Sequence, residues 1–389
     1  MLQTLSTSPK ERLRQIEHTR RLVLHDGLAP DGRFASAWLA DSWRRCLARG
    51  QRPEQRVAFD MLPKQTFKRV EEANHELVAA AAPVLERLGR AIANTRYFAI
   101  LTNGEGIVVN VNGPIDRRDR RVDVIARVGV DLSEPSVGTT AISAALTELR
   151  PVWLHRGEHF FCDTSVYSCA GAPLFGPDGH CVGMLDLTGV DAVERPELKH
   201  LVAQSARSIE NALTLRQRHS LLLRLNWPGR PLGEESDGLV GLDDEGYVTA
   251  ANQAARAMVP QLSPAPIHSG SLRVHSRDLF ALPVEMLFGS ARQQDTGMEA
   301  PLWSGLRLNL QAQTAPRRSV VNNLPRTVES SPSAAPRGKS ETLKDLENAL
   351  ICKAVDVARG NVSEAARSLG VSRATVYRKL ARKRVVTSH

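Results

Sequence analysis

The chain has 389 residues, 42% of them hydrophobic and 24% charged, which suits two or three folded domains and excludes a disordered chain. No apolar run approaches the roughly 18 residues of a membrane span, and residues 1–10 lack the apolar core of a secretory signal, so the chain reads as cytoplasmic with no membrane partner. A formal charge of +9 favours polyanionic partners, and five scattered cysteines with no CxxC pair read as reduced thiols.

Residues 1–95 carry apolar side chains at helical spacing over 12–24, 36–49 and 64–93, which predicts a helical N-terminal region. The pattern then changes. Stretches 97–101 and 106–111 are β-rich and flank an Asn103-Gly104 turn. A helical stretch follows over 137–149, then further strands at 152–154, 170–174 and 181–187, the last two joined by Pro177-Asp178-Gly179. Residues 96–195 are therefore expected to form an α/β domain with a mainly antiparallel sheet.

From 197 to 225 the spacing predicts one long helix. Leu198, Val202, Ser205, Ile209 and Ala212 repeat almost as in a coiled-coil seam, so 196–226 is expected to connect and dimerise. A hairpin at 239–250 turning at Asp243-Asp244-Glu245-Gly246, a short helix at 252–258 and a weaker β signal at 306–312 make a smaller α/β unit over 237–312. Residues 313–340 hold four prolines, five serines and one acid, with no burial pattern, and read as a flexible linker.

The last fifty residues read as three helices. Leu343, Leu346, Leu350, Ala354 and Val357 mark one face of the first, and Gly360 ends it. Asn361 caps the second, with Glu364 three residues on. Ala365, Ala366 and Leu369 give a tight inner face, Gly370 makes the turn, and Val376 and Leu380 anchor the third helix. That is helix-turn-helix spacing, whose final helix enters the major groove of duplex DNA. The expected contact set is Ser372, Arg373, Ala374, Thr375, Tyr377, Arg378, Lys379 and Arg382, and no acidic residue follows Glu364. Arginine can bond guanine in bidentate fashion, while the other cations suit phosphates. An ordinary helical bundle with a solvated face would mix signs.

Residues 343–384, with GNVSEAARSLGVSRATVYRKL inside, resemble the Fis-type helix-turn-helix that ends bacterial enhancer-binding regulators. DSWRRCLARG at 41–50 is similar to a segment near the start of acetoin-catabolism-type regulators. SEPSVGTTAISAAL at 133–146 and CAGAPLFGPDGHCVGMLDLTG at 169–189 resemble their GAF sensor domain, and GLVGLDDEGYVTAANQAA at 238–255 resembles a PAS-like segment. The resemblance implies a multidomain α+β chain: a helical N-terminus, a GAF-like α/β sensor, a PAS-like α/β unit and an all-α helix-turn-helix over 341–389. Such regulators commonly carry a central ATPase, but only the linker occupies that place here. Gly338-Lys339-Ser340 invites a phosphate-loop reading, which fails because Ser333 stands where the pattern needs glycine and no strand can precede it.

GAF-like domains hold a small ligand between sheet and covering loops, so the resemblance implies a small organic effector and no other cofactor. Trp153, Phe160, Tyr167 and Cys169 are the candidate lining. His155, His159, Cys162 and Cys169 offer metal-ligand chemistry at a spacing that matches no established site. No catalytic set emerges: Asp116, Asp119 and Asp123 alternate with arginines as an exposed charged loop does. The expectation is a non-enzymatic, effector-responsive transcription regulator. It would act as a homodimer on double-stranded DNA, with RNA polymerase or related regulators as further partners. The alternatives are an interaction protein that titrates full-length relatives, and a metal-dependent gas or redox sensor.

Overall fold

The computed structural model describes residues 9–26, 37–263, 274–293, 297–314, 361, 362 and 366. The N-terminal region forms α1 (Pro9–Leu24), α2 (Ala37–Ala48), α3 (Lys64–Ala73) and α4 (His75–Ala91). The helix expected over 64–93 is broken at Asn74, whose side chain donates back to the Val70 carbonyl at 2.8 Å and ends the first segment.

The first sheet comprises β1 (Tyr97–Asn103), β2 (Val108–Asn112), β3 (Val152–His155), β4 (Tyr167–Phe175) and β5 (Cys181–Val190), in the order β2-β1-β5-β4-β3. Every pairing is antiparallel. Between β2 and β3 lie α5 (Arg120–Ile125), α6 (Glu134–Val137) and α7 (Ala141–Glu148). The helix expected over 137–149 starts later, as α7, and Val137 instead ends α6. Gly138 separates them at φ +67°, where a Cβ would lie 2.9 Å from the Phe161 ring. Short 3-10 turns, Arg156–Glu158 and Cys162–Val166, precede β4.

Both faces of this sheet are buried, which is why its strands read as continuous apolar runs. Side chains alternate along each strand. Tyr97, Ala99, Leu101, Ala170, Leu185 and Leu187 join the core made with α4 and α8 (Leu198–Arg216). Phe98, Ile100, Cys169 and Met184 join the core made with α2 and α7.

The helix expected over 197–225 ends at Arg216. Its repeat, Leu198, Val202, Ser205 and Ile209, is buried in the chain's own core, so this seam is spent within the domain and is not a free dimerisation face. Residues Leu221–Asn226 form β6, the central strand of a second sheet. The unit expected to start at 237 therefore starts at the first of its strands, 221.

The second sheet adds β7 (Gly238–Leu242), β8 (Val248–Ala251), β9 (Met298–Pro301) and β10 (Arg307–Thr314), in the order β8-β7-β6-β10-β9, again antiparallel. It carries α9 (Gln253–Met258), α10 (Ser276–Leu279) and α11 (Val284–Gln293). Asn252 caps α9 by accepting from the Ala255 N–H at 2.8 Å. The two sheets meet at the Pro177-Asp178-Gly179 turn: the Pro177 carbonyl accepts from the Ala251 N–H at 2.9 Å and from Arg256 at 2.7 Å. Beyond residue 318 the chain forms a separate unit, in which Ala366 is buried.

Leu221, Leu223 and Leu225 lie in the second sheet's core. Leu223→Ala should cost about 2–5 kcal/mol, read as a lower denaturant midpoint. An unchanged midpoint would mean that 221–226 is not a buried strand.

Candidate functional site

On the face of the first sheet turned toward α7, Asp186 and Thr188 of β5 interrupt an otherwise apolar surface. Strand alternation puts them beside Ile100, Tyr167 and Cys169. These side chains, with Phe59, Leu132, Val137, Thr140, Ala141, Ile142, His159 and Thr164, line a cavity of about 30 Å³. A single water needs about 10–15 Å³ by this measure, so the space admits a molecule of only a few heavy atoms. Gly171 of β4, opposite Asp186, allows the close approach of α7, since a Cβ there would lie 2.9 Å from the Ala141 carbonyl.

Asp186 is fully buried, and the Thr188 hydroxyl donates to its Oδ2. Its Oδ1 has no hydrogen-bond partner. Thr188 Oγ1 also lies 3.5 Å from the Cys169 thiol. Burial pushes the Asp186 carboxyl up to about 7 and the Cys169 thiol well above its usual range. His159 is equally enclosed. Its Nδ1 sits 2.9 Å from the Arg156 carbonyl, which places the ring proton there, and its Nε2 has no partner. Burial pulls this imidazole down to about 4, so the ring is neutral near pH 7. Asp186 and His159 thus each leave one enclosed polar atom unsatisfied beside an apolar cavity, which costs stability.

The N-terminal helices hold the cavity's cover in place. Arg20 of α1 donates to the carbonyls of Gly157 at 3.1 Å, His159 at 2.6 Å, and Phe160. Trp43 Nε1 of α2 donates to the Glu158 carbonyl at 3.0 Å. Arg12 pairs with the Glu158 carboxylate at 2.7 Å, although burial still pushes that group up to about 7. Elsewhere on α2, Ser42 bonds Thr139 at 2.8 Å, and Arg45, with Arg49 just past the helix end, reaches the buried Glu134 at 3.1 and 3.0 Å.

Of the lining expected from sequence, Tyr167 and Cys169 face the cavity. Phe160 is buried beside it, against Phe161 at 5.0 Å, and does not line it. Trp153 projects to the opposite face, because it pairs with Ala170 where Leu154 pairs with Cys169. Asp186 and Thr188 were not expected, although a lone carboxylate inside the apolar run of 181–187 was a legible signal. His155, His159, Cys162 and Cys169 do not converge: His155 bonds Ser168 at 2.7 Å, and Cys162 is exposed near Arg20. Among the described residues no group of three or more His, Cys, Asp or Glu side chains is placed to hold a metal ion. Nor, among them, is any helix long and apolar enough to cross a membrane. The expected DNA contacts at 372–382 and the Gly338-Lys339-Ser340 segment lie outside the described residues.

Residues 15–211, which contain this cavity and its cover, match the family model described as MimR, N-terminal domain. The chain belongs to that family. Residues 342–382 match a second model, the bacterial regulatory protein, Fis family. Over 272 residues the chain is 28% identical to the acetoin catabolism regulatory protein of Cupriavidus necator, covering 65% of this chain and 40% of that protein. Over 201 residues it is 30% identical to the propane 2-monooxygenase operon transcriptional activator MimR of Mycolicibacterium smegmatis, covering 51% and 33%. The chain thus matches less than half the length of either relative. The crystal structure of the E. coli DhaR(N)-DhaL complex superposes with a TM-score of 0.44 at 15% identity, covering 72% of this chain and 100% of that one.

An acid raised from its usual 3.8 to about 7 stabilises the fold fully only below about pH 4, and loses that contribution as pH rises through 7. Asp186→Asn removes this titration. Its stability relative to the parent should therefore climb between pH 5 and 8, by at most about 1.4 kcal/mol per pH unit. Denaturation at both pH values tests this, and a constant difference would contradict the burial argument.

Proposed function

We propose that this chain is a transcription regulator that binds duplex DNA through residues 341–389 and adjusts that binding to a small effector held in the first-sheet cavity. The observation that carries the reading is the Fis-family match at 342–382 coinciding with an acid-free, arginine-rich stretch after Glu364. The regulator names of the relatives support it. In this reading residues 96–195 are a GAF-like sensor and the second sheet is a PAS-like unit; of the linker expected over 313–340, residues 313 and 314 belong to β10, and 315–340 is the linker. Arg373 and Arg378 read base edges, Lys379 and Arg382 hold phosphates, and Ser372 caps the recognition helix, which also presents Ala374, Thr375 and Tyr377. The protein works as a homodimer in the cytoplasm, because such modules pair on half-sites one helical turn apart. RNA polymerase or a related regulator reads the bound complex.

The reading assigns no ATPase activity. Fewer than thirty residues separate Thr314 from the Fis-family match, and Ser333 breaks the phosphate-loop pattern. A turnover that co-purifies with the chain and disappears in Lys339→Ala would overturn this.

Gel-shift titration of the full chain tests DNA binding. Arg373→Ala and Arg378→Ala should each cost about 1–3 kcal/mol on an operator and less on random DNA. Arg382→Ala should weaken both, and lower the salt slope by about one. A folded full chain that fails to bind DNA at low salt rejects the reading.

A further inference from the structure

We propose that the cleft between α8 and α9 is a small-molecule site separate from the first-sheet cavity, and that it takes a monocarboxylate with an apolar body whose head group meets Glu210 and Arg207. The inference goes beyond the effector reading of that cavity and does not depend on it.

The cleft has a volume of about 490 Å³, in the range of sites for small organic molecules. One wall is α8 with residues 149–151 and the end of β4. The other is α9 with Trp227. Hydrogen bonds hold the walls in place: Asn252 donates to Asn211 Oδ1 at 2.7 Å, and Ser208 donates to the Glu235 carboxylate at 2.9 Å. Small side chains keep the space open, with Ala203 and Ala206 on α8 and Ala254 and Ala257 on α9. Leu149 and Trp227 line it while remaining 49% and 41% exposed, and Phe175 and Met258 join them. Exposed apolar surface beside charged groups suits a molecule with an apolar body and a charged head.

The head group follows from the polar atoms. Ala203, Ala206, Arg207 and Glu210 recur every three or four residues, so Arg207 and Glu210 are neighbours on one face of α8. The Phe175 N–H donates to Glu210 Oε1 at 2.9 Å. Oε2 has no partner, yet it is not enclosed as Asp186 Oδ1 is, so it opens into the cleft that Glu210 lines. Burial pushes this carboxyl up to about 7. Since Oε1 accepts, the proton of the neutral acid sits on Oε2 and is offered to the cleft. Arg207 makes no ion pair or hydrogen bond among the described residues. Arg150, on the rim, lies 5.7 Å over the Trp38 ring and likewise forms no ion pair among them.

A carboxylate answers this arrangement: one oxygen accepts from Glu210, the other from Arg207. An ammonium would meet two uncompensated arginines, and would need Glu210 ionised. An alcohol would leave both guanidinium charges unanswered. The other titratable groups do not alter the balance. The Cys181 thiol of β5 is pushed up by burial and stays neutral. α9 and Trp227 bring no charged group to the cleft wall. His200, Glu234 and Glu235 line the adjoining hollow along α8, where Glu235 is already bonded to Ser208.

Three probes of one shape separate the possibilities by ligand-observed NMR titration of the full chain: 3-phenylpropionate, 3-phenylpropanol and 3-phenylpropylamine. All are too large for the first-sheet cavity of about 30 Å³. The acid should bind about tenfold or more tightly than the alcohol or the amine. Arg207→Ala changes an exposed side chain and should weaken binding of the acid by about tenfold or more. The parent's affinity for the acid should fall toward about tenfold per pH unit above about pH 8, as Glu210 ionises. Glu210→Gln keeps an acceptor for Phe175 and an N–H for the ligand, so it should retain binding within a few-fold and lose that pH dependence. Preferential binding of the amine, lost in Glu210→Gln, overturns the carboxylate assignment. Binding of the acid that is unchanged in Arg207→Ala, or a pH profile that is the same in Glu210→Gln, overturns the head-group pair. If no probe binds the folded parent at any pH from 6 to 9, the cleft is not a site for this class of molecule.

Discussion

A five-stranded sheet covered on both faces has no solvent side, and most of the first domain's features descend from that. With α4 and α8 on one face and α2 and α7 on the other, every side chain of β1 is buried. Each polar group in the central strands must then be answered inside the protein or remain a cost. Asp186 stands on β5, between β1 and β4, where no water reaches it directly. Its raised carboxyl, the neutrality of His159 and the raised thiol of Cys169 are three outcomes of one enclosure.

Two stretches that carry the sequence resemblance in the N-terminal half, 41–50 and 133–146, are partners. Arg45 and Arg49 converge on Glu134, which is nearly inaccessible to solvent, while Ser42 and Cys46 meet Thr139. Glu134 is buried while the two arginines stay partly exposed, so the cost falls on the carboxylate, which would be stranded without both of them. Arg45 and Arg49 are therefore committed to a single carboxylate. This couples the helical N-terminus to the cavity's cover and explains why one family model spans both.

Much of the architecture was legible. The strands around Asn103-Gly104 and Pro177-Asp178-Gly179, and the helix capped by Asn252, follow local turn and capping chemistry that residue types report directly. β6 was not legible. Leu221, Leu222, Leu223 and Leu225 continue the helical spacing of α8 through Gln217-Arg218-His219-Ser220, which contains no glycine or proline to stop it. A short apolar run buried on both sides looks the same as helix or strand, and only the long-range pairing with β7 and β10 decides. The cavity lining failed for a related reason. Aromatic content pointed to Trp153 and Phe160, but register sends Trp153 to the far face. The chemically informative residue was an acid in a hydrophobic strand.

The passage from α8 to β6 takes only residues 217–220, and Ser220 is already bonded to the Leu242 carbonyl at 2.7 Å. Within the first sheet the central position belongs to the last strand in chain order, β5. In the second it belongs to the first, β6. The helix that covers one sheet therefore leads straight into the spine of the next, with too little slack for the two to move independently. A central strand cannot creep along its axis without breaking ladders on both sides, so displacement of α8 reaches the second sheet as a whole-body tilt or is resisted outright. The joint acts as a stiff axle, and any compliance in this part of the molecule has to come from elsewhere.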